Sequence, residues 1–352
     1  MTSASSAGEA NRRRARTRKY AGFITCAAVV IGAVVAVVVA QPWADGSVRP
    51  SPVRYLGLHE PDAPGSYYDV DQFALATGRQ PNLVSYYSHW LEPFQVGFAT
   101  SAMERGAVTL VQMDPMIDST NVSLASIATG RYDSYLRSYA AEVKAFGSPI
   151  IFSFGHEMNG NWYSWGYQHT SPGVFVAAWQ HIVTMFRAAG AGNVTWLWAV
   201  NVINNNHATF IPDPTPWWPG RSYVTWVGID GYYYDSSSMF DSLFGPTIVA
   251  VRQLTSDPIL IAETGAAVSA GQPAKINNLF DGVRTYGLLG FIWFDENTQG
   301  RAWRINSPQA FAAFRHDAKA FLKPPAAPVS RQQQPSSDSS SSAAAPGSRR
   351  RL

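Results

Sequence analysis

The chain has 352 residues, 46% of them apolar, a share sufficient to bury a substantial core. Its formal charge of +3 resides at the ends: residues 1–40 carry +5 and 325–352 carry +3, so subtracting both leaves −5 for the stretch between. That acidic middle excludes the basic face of a nucleic-acid-binding protein, and a single cysteine excludes a disulfide framework.

Residues 1–19 form a basic segment ending in "NRRRARTRK", expected to be cytoplasmic, and the next 21, Tyr20 to Ala40, carry no charge. At about 1.5 Å per residue such a helix spans a bilayer, so 20–40 reads as a transmembrane signal-anchor. The basic flank predicts that everything after Gln41 lies on the extracellular face. A cleaved signal peptide is the rival, because "VVVA" before "QP" offers small residues at a cut, and the chain would then be secreted. The only cysteine, Cys26, falls inside this run, so the exported part has none. Residues 41–52 read as a linker and 53–322 as one domain. The tail 323–352, rich in Pro, Ser, Gln and Ala, has too little to bury and is expected to be disordered.

Within 53–322 eight short apolar runs follow one another: "VRYLGLHE" from Val53, "NLVSYYSHW" from Asn82, "AVTLVQMDP" from Ala107, "PIIFSFGHE" from Pro149, "VTWLWAVN" from Val194, "TWVGIDGYYY" from Thr225, "PILIAET" from Pro258 and "GFIWFDEN" from Gly290. Most are separated by amphipathic stretches such as "YDSYLRSYAAEVKAFG" and "SPGVFVAAWQHIVTMFRAAG". Near-continuous apolar strands alternating with helices indicate a parallel sheet covered on both faces. Eight such units predict an α/β fold, a closed (β/α)8 TIM barrel. An open doubly wound sheet would place a Gly-rich phosphate turn after its first strand, and "YLGLHEP" is none.

Barrels of this kind gather their chemistry at the carboxyl ends of the strands. Those ends read His59-Glu60, Ser88-His89-Trp90, Asp114, His156-Glu157, Asn201, Tyr232 to Tyr234, Glu263 and Asp295-Glu296-Asn297. Glu157 and Glu263 close the fourth and seventh runs, positions that face each other across a barrel mouth. Two carboxyls about 5–5.5 Å apart make the retaining glycosidase pair, one a nucleophile and the other an acid/base. "HEMNGNWYSWG" surrounds Glu157 with rings that favour its protonated form, while "LIAETGA" leaves Glu263 among small residues, as a nucleophile requires. His59, His89 and His156 lack an H-x-x-x-H spacing, so neither a metal nor a cofactor is expected. No Gly-x-Ser-x-Gly elbow suggests a serine hydrolase. The aromatic surplus, 12 Trp and 16 Tyr, suits sugar, whose C–H faces stack on rings while Asn, His and Asp bond its hydroxyls.

"FGHEMNGNWYSWG", "PGRSYVTWVGIDGYYYD", "ILIAETGA" and "GFIWFDEN" followed by "AWRINSPQAFAAF" together resemble glycoside hydrolase family 26, endo-β-1,4-mannanases foremost. The resemblance implies a retaining (β/α)8 hydrolase with Glu157 as acid/base and Glu263 as nucleophile. It further implies that His156 supports the centre, that Tyr232 bonds the nucleophile, that Trp293 floors the sugar site and that Trp162 and Trp165 flank the cleft. His89, Trp90 and Asn201 are expected substrate contacts. Ser153 stands where the family often has Arg, and Ala302-Trp303 where it often has Asp-Trp; losing the Arg puts the balance between the two carboxylates in question. The expected activity is endo-cleavage of β-1,4-mannan. Mixed-linkage β-glucan and β-1,3-xylan are alternatives, and a third is an anchored polysaccharide-binding protein without catalysis. The partners are then a polysaccharide and, through 20–40, a membrane, with no nucleic acid and a monomeric barrel.

Overall fold

The computed structural model describes residues 54–204, 210–298 and 300–322. The basic segment 1–19, the charge-free run 20–40, the linker 41–52 and the tail 323–352 lie outside them. Among the described residues no helix is long and apolar enough to cross a membrane.

Eight parallel strands close into a barrel: β1 (Tyr55–His59), β2 (Leu83–His89), β3 (Val108–Asp114), β4 (Ile150–Phe154), β5 (Val194–Asn201), β6 (Trp226–Asp230), β7 (Ile259–Thr264) and β8 (Gly290–Phe294). Each pairs with the next, and β8 returns to β1 with Tyr55 opposite Gly290. A side chain at 290 would put its Cβ 1.9 Å from the Tyr55 carbonyl oxygen, so only glycine lets the seam close.

The helices are α1 (Tyr68–Thr77), α2 (Val96–Glu104), α3 (Leu124–Ala128), α4 (Asp133–Phe146), α5 (Pro172–Ala188), α6 (Phe240–Leu254), α7 (Gln272–Thr285) and α8 (Pro308–Phe321). In α5, Pro172 sits in the first turn, where its missing N–H costs nothing. The buried Phe175, Ala178, Trp179, Ile182, Val183 and Phe186 recur at helical spacing and turn one stripe toward the strands. Each large side chain so buried contributes about 1.5–3 kcal/mol. The eightfold β/α alternation is not perfect. Two helices, α3 and α4, link β3 to β4, whereas the described part of the β5–β6 connection holds only a 3-10 turn, Thr215–Trp217.

Strand residues alternate between two apolar sets. Phe152, Phe154, Ile259, Ile261, Phe291 and Trp293 belong to the core shared with the helices. Leu83, Leu110, Ile151, Leu197, Leu260 and Ile292 pack together inside the barrel. Two residues beyond most of these interior side chains, the same alternation places Ser85, Gln112, Ser153 and Phe294. The barrel is therefore apolar low down and increasingly polar toward its carboxyl mouth.

Candidate active site

Glu157 stands three residues past β4, on a chain that turns sharply: Gly155 and Glu157 have φ of +55° and +53°. A left-handed backbone at a non-glycine residue costs on the order of 1–3 kcal/mol and persists only where its surroundings enforce it. The Glu157 amide donates to the Ala199 carbonyl at 3.0 Å. Asn159 is laced to β5, accepting from the Asn201 amide at 2.9 Å and donating to the Asn201 carbonyl at 2.9 Å. The carboxylate itself accepts from Asn201 Nδ2 on one oxygen and from Trp162 Nε1, at 2.7 Å, on the other.

Glu263 reaches the interior by a different device. Strict alternation after Leu260 and Ala262 would aim Thr264 inward and Glu263 outward. The register slips here, however: Ile229 opposes Ile261 but Asp230 opposes Glu263, and Phe291 opposes Ile261 but Trp293 opposes Thr264. This bulge turns Glu263 into the barrel mouth, the re-aiming that bulges perform beside active sites. Its Oε1 accepts from the Tyr87 hydroxyl and from Gln112 Nε2 at 2.7 Å, and its Oε2 from the Tyr232 hydroxyl at 2.9 Å. Among the described residues no lysine or arginine lies within ion-pair distance of it.

One oxygen each of Glu157, Glu263 and Asp230 lie within 4.8 Å of one another, all three residues buried. Burial, then the Glu263 charge, push the Glu157 carboxyl up to about 7, against the opposing pull of His156, Asn201 and Trp162. Asp230 is completely enclosed and neither of its oxygens finds a side-chain partner. Burial and the charges of Glu263 and Glu157 drive its carboxyl well above the usual range; the Glu263 backbone amide opposes this only in part. His156 is the cation of the group. Burial alone would lower it, but Asp114, bonded to Nδ1 at 3.0 Å, prevails and lifts it to about 9. Its Nε2 meets the Tyr163 hydroxyl at 3.1 Å. Among the described residues the three carboxylates are the one cluster of acids, histidines or cysteines compact enough to hold an ion. An ion there would compete with the five donors already on the two glutamates.

Glu157, Glu263, His156, Asn201, Tyr232 and Trp162 thus come together. His89, half-buried, ends β2 on the same rim. Three rings do not come to the cleft. Trp293 is fully buried and its indole packs against Phe314 of α8, because alternation points it outward; its neighbour Phe294 faces in and stacks on His59 at 4.8 Å. Trp90 is buried among Tyr132, Tyr135 and Phe154. Trp165 is enclosed, stacked on Tyr163 at 4.3 Å and donating to the His156 carbonyl at 2.8 Å, a buttress rather than a wall. Two hollows of about 450 and 480 Å3 flank the loop at His169 to Ser171, and neither is lined by the carboxylates.

The strand-end reading passed over Tyr87, Gln112 and Asp230. Each lies two residues before a residue it did name, His89, Asp114 and Tyr232, so counting back one period of alternation finds all three. Trp303, noted in the sequence only beside Ala302 in the family comparison, comes from a loop and tilts against Tyr232 at 4.8 Å.

The sequence model of the family described as "Glycosyl hydrolase family 26" matches residues 67–269. Among curated proteins, Endoglucanase H of Acetivibrio thermocellus is 31% identical over 263 residues, 70% of this chain and 28% of that protein. Mannan endo-1,4-beta-mannosidase A and B of Caldalkalibacillus mannanilyticus is 25% identical over 179 residues, 47% of this chain and 32% of that protein. The chain thus spans under a third of the length of either relative. Among solved structures, a GH26 beta-mannanase from Bacteroides ovatus aligns with a TM-score of 0.57 at 14% identity, covering 77% of this chain and 91% of that one. A Bacillus subtilis mannanase aligns with a TM-score of 0.56 at 20% identity, covering 77% and 87%. These structural likenesses speak for the barrel.

Proposed function

We propose that this chain, which belongs to glycosyl hydrolase family 26, is a retaining endo-β-glycanase that cuts β-1,4-mannan by double displacement. The observation that carries the reading is the pair of carboxylates from β4 and β7 with oxygens within 4.8 Å, one near-neutral and ringed, the other held by three donors. That spacing suits a nucleophile that reaches carbon directly and leaves no room for the water an inverting pair needs.

In the first step the Glu263 carboxylate attacks the anomeric carbon while Glu157 passes its proton to the departing glycosidic oxygen. In the second, water attacks that carbon, its proton goes to Glu157, and the bond to Glu263 breaks with the electron pair returning to the carboxylate. Glu157 must begin protonated, and a carboxyl lifted to about 7 is predominantly so below neutral pH. Trp162 and Tyr234, 46% and 52% exposed, offer ring faces on the Glu157 and Tyr232 sides respectively. His89 supplies a hydroxyl partner.

Mixed-linkage β-glucan is the second reading, favoured by the 263-residue match to a protein named as an endoglucanase. Reducing-sugar release from mannan, lichenan, β-1,3-xylan and curdlan tests both. Release from mannan supports the first and from lichenan the second; binding with no release on any polymer would replace both with a polysaccharide-binding role. The charge-free run behind "NRRRARTRK" supports placing this activity outside a membrane, and the barrel is expected to act as a monomer. Protease protection of intact cells, and light scattering of residues 45–325, would test those two points.

A further inference from the structure

We propose that Tyr87 and Gln112 clamp one oxygen of Glu263, Oε1, reserving Oε2 for attack on the sugar and speeding release of the sugar from the enzyme. This rests on the glycanase reading and assigns to two positioning residues a task that reading leaves open.

The two oxygens of Glu263 are unequally held. Oε1 accepts from Tyr87 and Gln112, whereas Oε2 accepts from Tyr232 alone. The donors on Oε1 come from a rigid row: Tyr87 opposes Gln112 across β2 and β3, and Gln112 opposes Ser153 across β3 and β4. Gln112 is enclosed and its own carbonyl oxygen has no partner, so its amide is committed to Glu263. Ser153, also enclosed and with an unpartnered hydroxyl, is short enough to leave the glutamine its space.

With Oε1 doubly engaged, the lone pairs free to form a bond are on Oε2. When the glycosyl bond forms at Oε2, the carboxylate loses its charge and Oε1 becomes an ester carbonyl, a poorer acceptor. When water attacks the anomeric carbon and gives its proton to Glu157, the C1–Oε2 bond breaks and the electron pair returns to the carboxylate. The Tyr87 and Gln112 bonds then regain full strength, because hydrogen bonds to charged acceptors are the stronger. The clamp therefore favours the second step over the first.

The test uses a 2,4-dinitrophenyl β-glycoside of whichever sugar the wild type releases. Gln112→Met and Tyr87→Phe, each checked for an unchanged melting temperature, are expected to lower kcat by roughly 10- to 100-fold. They should lower KM in parallel, leave kcat/KM within about threefold and show a burst of dinitrophenol, as accumulating glycosyl-enzyme requires. Trapping with the 2-deoxy-2-fluoro analogue should place the sugar on Oε2. A sugar on Oε1, unchanged kinetics in both variants, or equal falls in kcat and kcat/KM without a burst would each overturn the proposal. A wild type that neither turns over nor labels would bring down the glycanase reading, and the clamp with it.

Discussion

The same side chain occupies two opposite environments within 4.8 Å. Glu157 is carried on a loop, its backbone forced left-handed, its carboxylate touched by one donor from β5 and one from its own aromatic loop. Glu263 is carried on a bulged strand and fixed by donors from β2, β3 and the loop just past β6, all neutral. Two carboxylates so close cannot share one role. Burial and the charge of Glu263 leave the proton with Glu157, while three donors suit Glu263 to the charged state of a nucleophile. On the retaining reading, burial and charge repulsion do the assigning, and environment, more than residue type, decides which glutamate is the acid/base and which the nucleophile.

Removing either carboxylate should have the largest effect, and a different one for each glutamate. Glu263→Ala is expected to reduce turnover by at least roughly 10³-fold on every substrate, since no second group can form the covalent bond. Azide should restore part of it and yield a glycosyl azide of inverted configuration, read by proton NMR. Glu157→Ala should act selectively, slowing polymer cleavage by at least roughly 10²-fold but leaving the first step on dinitrophenyl glycosides nearly intact, because such leaving groups need no proton. Azide should then give the retained product. If the two variants exchange these signatures, the roles are reversed.

A finer change probes the Glu157 side alone. The Trp162 indole donates to the ionised carboxylate and so holds its pKa down, against the larger effects of burial and Glu263. Trp162→Phe removes that donor from a half-exposed ring. The acid form then persists to higher pH, so the basic limb of kcat/KM should move upward from near 7, with a loss of roughly 3- to 10-fold at the plateau for the missing contact. A limb that moves down would mean that the ring raises Glu157 by excluding water.

How much of this was legible in the sequence follows from where each residue sits. Eight apolar runs and the strand-end glutamates were readable because strand ends are marked by an abrupt change of chemistry, as in "IIFSFGHE" and "ILIAET". The interior polar row is legible only by counting back from those ends, because Gln112 and Tyr87 lie inside apolar runs where no change of chemistry marks them. Trp293 and Phe294 are adjacent, and only the strand's phase decides which of them faces the cleft. The bulge that turns Glu263 inward is a property of pairing between β6, β7 and β8, not of the seven residues around it. The serine at 153 left open what would hold the nucleophile; two neutral donors on the preceding strands take that position.

The smallest expected effect concerns Asp230, the carboxyl that neither step of the reaction uses. Its folded pKa is raised by burial and by its two acidic neighbours, far above the roughly 3.9 of an unfolded aspartate. Between those two values the unfolded chain sheds a proton that the folded chain keeps, so the protein loses stability progressively as pH rises above about 4. Asn at this position has the same shape as the neutral acid and cannot titrate. Asp230→Asn should therefore melt close to wild type at pH 4 and higher than wild type at pH 7, by about 2 °C or more, a gain of about 1 kcal/mol in a domain of this size. Calorimetry across that range decides it. A variant that melts lower at pH 7 would show that Asp230 is ionised in the folded protein and that the charge of the cluster is balanced by something other than protons.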